Sequence, residues 1–234
     1  DVIDTIEKTK SIQPDRLGFY SYAHVPWIKG NGQRGFNDED IPKDDKKRML
    51  YETGKKLLFE NGYHEIGMDH FALKTDTLYD AFENGTLHRN FMGYSSSKTK
   101  LMIGLGVSSI SDSWYSFAQN VKSLEEYYQL LEQNKLPVYR GHLLTDEDLI
   151  IRKHILNLMC QFETSWKNQE AYFEEIPEVL NQLKEMENDG LLIIKENSIA
   201  VTEKGKPYVR NICMAFDLRL KRKAPETELF SMTI

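Results

Sequence analysis

GYHEIGMDHF, residues 62–71, is the stretch on which the reading of the fold turns. Glu65 to Met68 reads as a short buried run, and it stops on Asp69 and His70, two groups that resist burial unless partnered. An acid at a strand end is most often a helix cap or a turn residue. Two neighbouring stretches change the weighting. RLGFYSY (16–22) has strand composition and ends at Ala23–His24, and LMIGLGVSSIS (101–111) reads as a strand that ends in serines. Helical patterns lie between them. One starts at Asp44 or Asp45 and stops at Asn61–Gly62, one runs from Asp76 to Glu83 and stops at Asn84–Gly85, and one covers 123–134. Residues 1–12, with Val2, Ile3 and Ile6 among charges, add a leading helix. Strands alternating with helices predict an α/β fold with parallel pairing. The strand ends would then share one rim, the position that carries chemistry in barrel enzymes.

The bulk properties narrow the classes. A length of 234 residues suits one large or two smaller domains. The formal net charge of -6 argues against a general nucleic-acid binder. No apolar run reaches the length of a membrane span, and no segment has signal-peptide layout. Cys160 and Cys213 form no ligand spacing, which fits a reducing cytoplasm and leaves no cysteine metal site. The chain opens at Asp1, already in a helical pattern, and reads as a piece of something longer.

The texture changes near Pro137, so two domains are expected, 1–136 and 137–234. In the second, a long helix runs from Thr145 to Phe162 with Asp146, Glu147 and Asp148 in its first turn. Further helix follows over 169–188, broken or started at Pro177. Then LLIIKE, Asn197–Ser198 and IAVT read as a hairpin, and a helix opens near Glu203. Helices followed by a small hairpin suggest a winged-helix-like arrangement. Its candidate recognition segment, PEVLNQLKEMEND, is acidic and speaks against DNA.

Several site readings compete. His24, His70 and His88 as a metal triad lack paired spacing. Ser108 to Ser111 offer hydroxyls without a nucleophile elbow. GLGVSSI is not GxGxxG, although its glycines would admit a close approach to the backbone. Arg89, between His88 and Asn90, suits bidentate carboxylate binding or a solvated loop equally well.

Taken together, YAHVP (22–26), GMDHFA (67–72), LHRNFMGY (87–94), GLGVSSIS (104–111) and RNICMAFD (210–217) resemble consecutive signatures of the oxygen-independent coproporphyrinogen III oxidases. The resemblance runs through essentially the whole chain. It implies the C-terminal strands and helices of a partial (β/α)6 radical S-adenosylmethionine barrel, followed by a small helical domain. The implied reaction is oxidative decarboxylation of two propionates of coproporphyrinogen III to vinyls in haem biosynthesis. A [4Fe-4S] cluster, fed by an electron-donor protein, reduces S-adenosylmethionine to a radical that takes a hydrogen from the propionate β-carbon. A second S-adenosylmethionine shares the cavity.

The family's CxxxCxxC motif is absent from the sequence, so the resemblance implies the C-terminal half of such an enzyme, inactive alone and without metal ligands. Ala23 and Ile110 match positions that contact S-adenosylmethionine. Asp69 and His70 are candidate catalytic residues, and Arg89 is a candidate for the substrate propionates. Met92 stands where relatives often carry Gln. The radical S-adenosylmethionine haem chaperone, which typically reads YEISNFA where this chain reads MDHFA, is the nearer rival. A winged-helix interaction module is the farther one. A barrel cut after its early strands would leave an open edge near RLGFYSY, so the piece is also expected to self-associate.

Overall fold

A computed structural model describes residues 2–22, 24, 35 and 38–223. The chain divides into two compact units, 1–83 with 217–234, and 84–216.

In the first unit, α1 (Val2–Ile12) precedes the short strand β1 (Arg16–Gly18). After a 3-10 turn at Asp38–Asp40, α2 (Asp44–Glu60) runs for 17 residues. It ends where Asn61 caps it and Gly62 takes a φ of 85°, a conformation that costs a glycine little. The strands β2 (Tyr63–Gly67) and β3 (His70–Leu73) and the helix α3 (Thr77–Glu83) follow. The sheet order is β1-β3-β2, so β1 lies at an edge. Ile6, Leu58, Tyr63 and Phe71 form the core, with Val2, Leu17, Phe19, Leu57 and Leu73 packed around it. Gly54 of α2 lies against the Phe19 ring, where a Cβ would collide.

The second unit opens with the ribbon β4 (His88–Asn90) and β5 (Gly93–Ser95). A three-stranded sheet follows, β6 (Ile110–Asp112), β7 (Ser116–Asn120) and β8 (Val138–Leu143), in the order β6-β7-β8. The helix α4 (Leu124–Glu132) sits in the β7–β8 connection, with the Ser123 hydroxyl accepting from the Glu126 amide. Next, α5 (Asp146–Gln161) begins on a capping box in which Thr145 and Asp148 satisfy each other's amides. Phe162 ends it in the left-handed region. β9 (Glu163–Ser165), α6 (Ile176–Asn188), β10 (Leu192–Lys195) and β11 (Ser198–Val201) then build a sheet in the order β10-β11-β9. The unit closes with α7 (Val209–Phe216), and α8 (Leu218–Lys223) falls in the first unit's C-terminal segment.

The expected helices are found, and so is the winged-helix-like hairpin, β10–β11. The boundary expected near residue 136 falls inside the second unit, where β8 continues the sheet of β6 and β7.

Strand direction is corrected. Every pairing among the described residues is antiparallel, and these strands close no barrel. The stretch that ends on Asp69 and His70 is a hairpin: Gly67 pairs with His70 across Met68 and Asp69, and Asp69 makes the turn at a φ of 61°. Short polar Asp tolerates that conformation better than most residues. The strand expected over 101–111 is also corrected. Met102 bridges back to Asp112, and only residues 110–112 join the sheet. The reversal runs through Gly104, Gly106 at a φ of 91° and Ser108 at 60°. A Cβ on Gly104 would sit 2.8 Å from the Ile110 carbonyl oxygen, so it is the chain's own backbone that approaches this glycine. Asn120 Nδ2 holds the loop by donating to the carbonyls of Gly104 (3.1 Å) and Gly106 (2.9 Å).

Candidate functional site

Candidate groups gather in each unit separately. In the first, the β2–β3 turn packs near α2. The Tyr51 hydroxyl bonds the Asp69 side chain, and burial, followed by the charges of Asp69 and Glu65, holds that hydroxyl well above the usual phenol range. Tyr51 therefore stays a donor at any working pH. The Asp69 carbonyl accepts from the Phe19 amide at 2.8 Å, and His70 Nδ1 lies 2.8 Å from the Met68 carbonyl. Beside this turn, Phe19, Tyr20, Ser21, Tyr22, Leu50 and Tyr51 line a cavity of about 180 Å³. Its aromatic walls suit a flat apolar ring. Tyr51 was missed in the sequence; it sits mid-helix with no local pattern to mark it.

In the second unit, Arg89 pairs with Tyr94 across the β4–β5 ribbon, and its guanidinium lies 4.6 Å from the Tyr94 ring centre. Burial pushes the Cys160 thiol up to about 11 and the Cys213 thiol up to about 12, and the Arg89 charge opposes burial at both. One nitrogen of Arg89, Nη1, is buried with no hydrogen-bond partner. An unmet buried cationic donor costs stability unless a ligand satisfies it. The Tyr94 hydroxyl donates to the Met159 carbonyl at 2.8 Å, which fixes the ring under the guanidinium.

Ile110 opens β6, opposite Gln119, and is half-buried. His88 is 5% exposed and held below the usual histidine range by burial, then by the Lys98 and Arg152 charges, with Asp112 opposing. Met92 is 85% exposed.

Ala23 lies outside the described residues. Asp69 and His70 share one turn, whereas Arg89 and Ile110 belong to the other unit. Of the histidines read as a possible triad, His24 and His70 fall in the first unit and His88 in the second. Among the described residues, no group of three or more His, Cys, Asp or Glu is placed to hold a metal ion. The two cysteines, buried and with raised thiols, do not fit an iron–sulfur cluster, which needs accessible thiolates. No helix among these residues is long and apolar enough to cross a membrane.

No family model matches the chain. It is 38% identical over 225 residues to the oxygen-independent coproporphyrinogen III oxidase of Escherichia coli, covering 94% of this chain and 49% of that one. The protein of the same name from Synechocystis is 35% identical over 240 residues, covering 99% of this chain and 51% of the relative. The solved structure of the Escherichia coli coproporphyrinogen III oxidase, a radical SAM enzyme, matches with a TM-score of 0.86 and 37% identity, over 93% of this chain and 51% of that one. The chain therefore spans about half the length of the relatives it matches. The half it matches is the C-terminal one. The mixed α/β class expected from the sequence is the class of that neighbour.

Proposed function

We propose that this chain is the C-terminal half of an oxygen-independent coproporphyrinogen III oxidase, a radical S-adenosylmethionine enzyme that converts two propionates of coproporphyrinogen III to vinyls and yields protoporphyrinogen IX. One observation carries the reading: sequence and backbone agree with the same half of the same enzyme, over 94% of the chain in sequence and 93% in structure. Neither the haem chaperone nor a winged-helix interaction module is favoured by relatives that carry the oxidase name. The exposed face of α6 also carries Glu178 and Glu185, which would repel nucleic acid.

Within this reading the two units have different tasks. S-adenosylmethionine and a [4Fe-4S] cluster supply the hydrogen-abstracting chemistry, and the cluster belongs to residues outside this chain. The aromatic cavity that includes Tyr22 suits an adenine ring, and Ala23, the next residue in the sequence, is assigned to S-adenosylmethionine by the resemblance of its motif. Ile110, a half-buried apolar side chain at the start of β6, is assigned to S-adenosylmethionine by the resemblance of its motif. Arg89, with a buried nitrogen still unsatisfied, supports a propionate clamp. Asp69 and His70 are assigned to the catalytic cavity, with Tyr51 holding the Asp69 carboxylate in place. The electron-donor protein and a cytoplasmic location follow from the same reading, as does self-association of the isolated piece through the β1 edge.

The test is the sequence immediately upstream of Asp1 and the protein it encodes. A CxxxCxxC motif should precede this chain. The full-length protein, reconstituted without oxygen, should then release carbon dioxide from coproporphyrinogen III in the presence of S-adenosylmethionine and a reductant. A full-length protein that carries no such motif, or one that holds its cluster and cleaves S-adenosylmethionine but leaves the propionates intact, would overturn the proposal.

A further inference from the structure

The second unit contains a cavity of about 660 Å³ that none of the assignments above uses. It lies between β4, the loop at Lys98 and α5. Its wall carries His88, Lys98, Lys153 and Asn157, with Trp114 and Leu156 as apolar surface. Among the described residues, no carboxylate lines it. Among the described residues neither Lys98 nor Lys153 has an ion-pair partner. A third cation, Arg152, borders Trp114, and the nearby acid, Asp112, is already engaged by it at 2.6 Å. The local balance is positive in a chain of net charge -6.

Two of these cations, Lys98 and Arg152, are also held in place. Lys98 Nζ lies 5.4 Å from the Trp114 ring centre and the Arg152 guanidinium 4.5 Å, so both cations rest against one indole. Trp114 itself adopts a φ of 68°, a costly conformation for a bulky residue. It is kept there by the Asp112 carboxylate, which accepts from its amide at 2.9 Å, and by Arg152 Nη1, which donates to its carbonyl at 2.9 Å. Backbone strain held by a dedicated ion pair, to set one indole at a cavity wall, is typical of binding sites rather than of packing. The volume exceeds what an inorganic ion needs and falls in the range of organic ligands.

We propose that this cavity binds an organic carboxylate, its anionic group between Lys98 and Lys153 and its apolar body against Trp114 and Leu156. The carboxylate has two sources: a propionate arm of a tetrapyrrole, or a separate organic acid. The inference stands on the cavity alone and survives if the proposed function fails.

The whole chain is titrated calorimetrically with 3-phenylpropionate and with its uncharged amide. The carboxylate should bind and the amide should not. Lys98→Ala and Lys153→Ala, both at exposed positions, should each weaken binding about tenfold, the scale of one lost charge-assisted contact. Competition by coproporphyrin III, the stable tetracarboxylate, distinguishes the sources. Displacement of phenylpropionate by the porphyrin assigns the site to a propionate arm, and lysine-dependent binding without displacement assigns it to a separate acid. Equal binding of acid and amide, no weakening in either lysine variant, or no binding at millimolar concentration overturns the proposal.

Discussion

The two units treat buried polar groups differently. Among the described residues, the first buries one such side chain, Asp76, and otherwise packs apolar surface around Leu58 and Phe71. The second buries His88, Asp112, Asn120, Asp148, His154 and Thr164. Each of these groups has a cost in low dielectric unless partnered, and in the second unit Asp112, Asn120, Asp148, His154 and Thr164 meet it with hydrogen bonds. His154 is 1% exposed, with Nε2 2.7 Å from the Ala171 carbonyl and Nδ1 2.8 Å from Thr164 Oγ1. Such networks make a fold specific and fragile together. Among the described residues, the first unit should fail sharply at Asp76 and elsewhere in a graded way, whereas the second should fail at several single points.

Replacement of His154 by Ala tests that contrast most severely. It removes both hydrogen bonds and the ring stacked 5.5 Å from Phe216, and should cost about 4 kcal/mol. Hydrogen exchange should report the loss over residues 84–216, and a loss below about 1 kcal/mol by denaturant titration would break the contrast. Asp76→Ala is the counterpart in the first unit. Asp76 receives Arg16 through two bonds, at 2.9 and 2.8 Å, and its Oδ1 accepts from the Leu78 amide at 2.6 Å, capping α3. Its removal should cost about 3 kcal/mol, confined to residues 2–83.

Mild acid should separate the units by less. Burial holds both His154 and His88 below the ordinary value of 6.5, so the folded chain favours the neutral rings. The unfolded chain takes up protons first as pH falls. The stabilising contribution is therefore complete above pH 6.5 and declines below it, towards the folded values. Exchange measured at pH 7.5 and 5.5 should show the second unit loosening first, and equal loosening in both would remove histidine as the cause.

The smallest effects concern helix starts. α5 is capped by Thr145, whereas α2 starts at Lys43 with no side-chain cap. Thr145→Ala should cost about 1 kcal/mol. Lys43→Ser, at an extended residue (φ -117°), should gain about 0.5 kcal/mol in thermal unfolding.

Much of this was legible in the sequence. Helix limits followed from Asn61–Gly62, Asn84–Gly85 and Thr145, because caps and positive-φ glycines are local chemistry. The β10–β11 hairpin was legible for the same reason. The β2–β3 turn was not: its central residues, Met68 and Asp69, are neither glycine nor proline, and Asp69 supplies the left-handed conformation that a glycine there would have announced. Strand direction was then inferred from element order alone, which does not encode it. The cationic cavity was invisible because Lys98, Trp114 and Lys153 lie on three separate segments and meet only after folding. Arg89 could be picked out by its motif, but its position over Tyr94 depends on a ribbon pairing the motif does not specify.

The uniform antiparallel pairing has a consequence in time. β2–β3, β4–β5, β6–β7, β7–β8 and β10–β11 each join neighbours along the chain. These ladders need no distant segment and can close as the chain is synthesised, with a loop-closure entropy that grows only slowly with length. Two pairings differ. β1 must wait for β3, across α2 and β2, and β9 must wait for β11, across α6 and β10. Until then each leaves a row of backbone donors and acceptors open. The first unit's wait spans more of the chain, so a ribosome or chaperone guarding this sequence would have to shield the segment at Arg16 to Gly18 the longest.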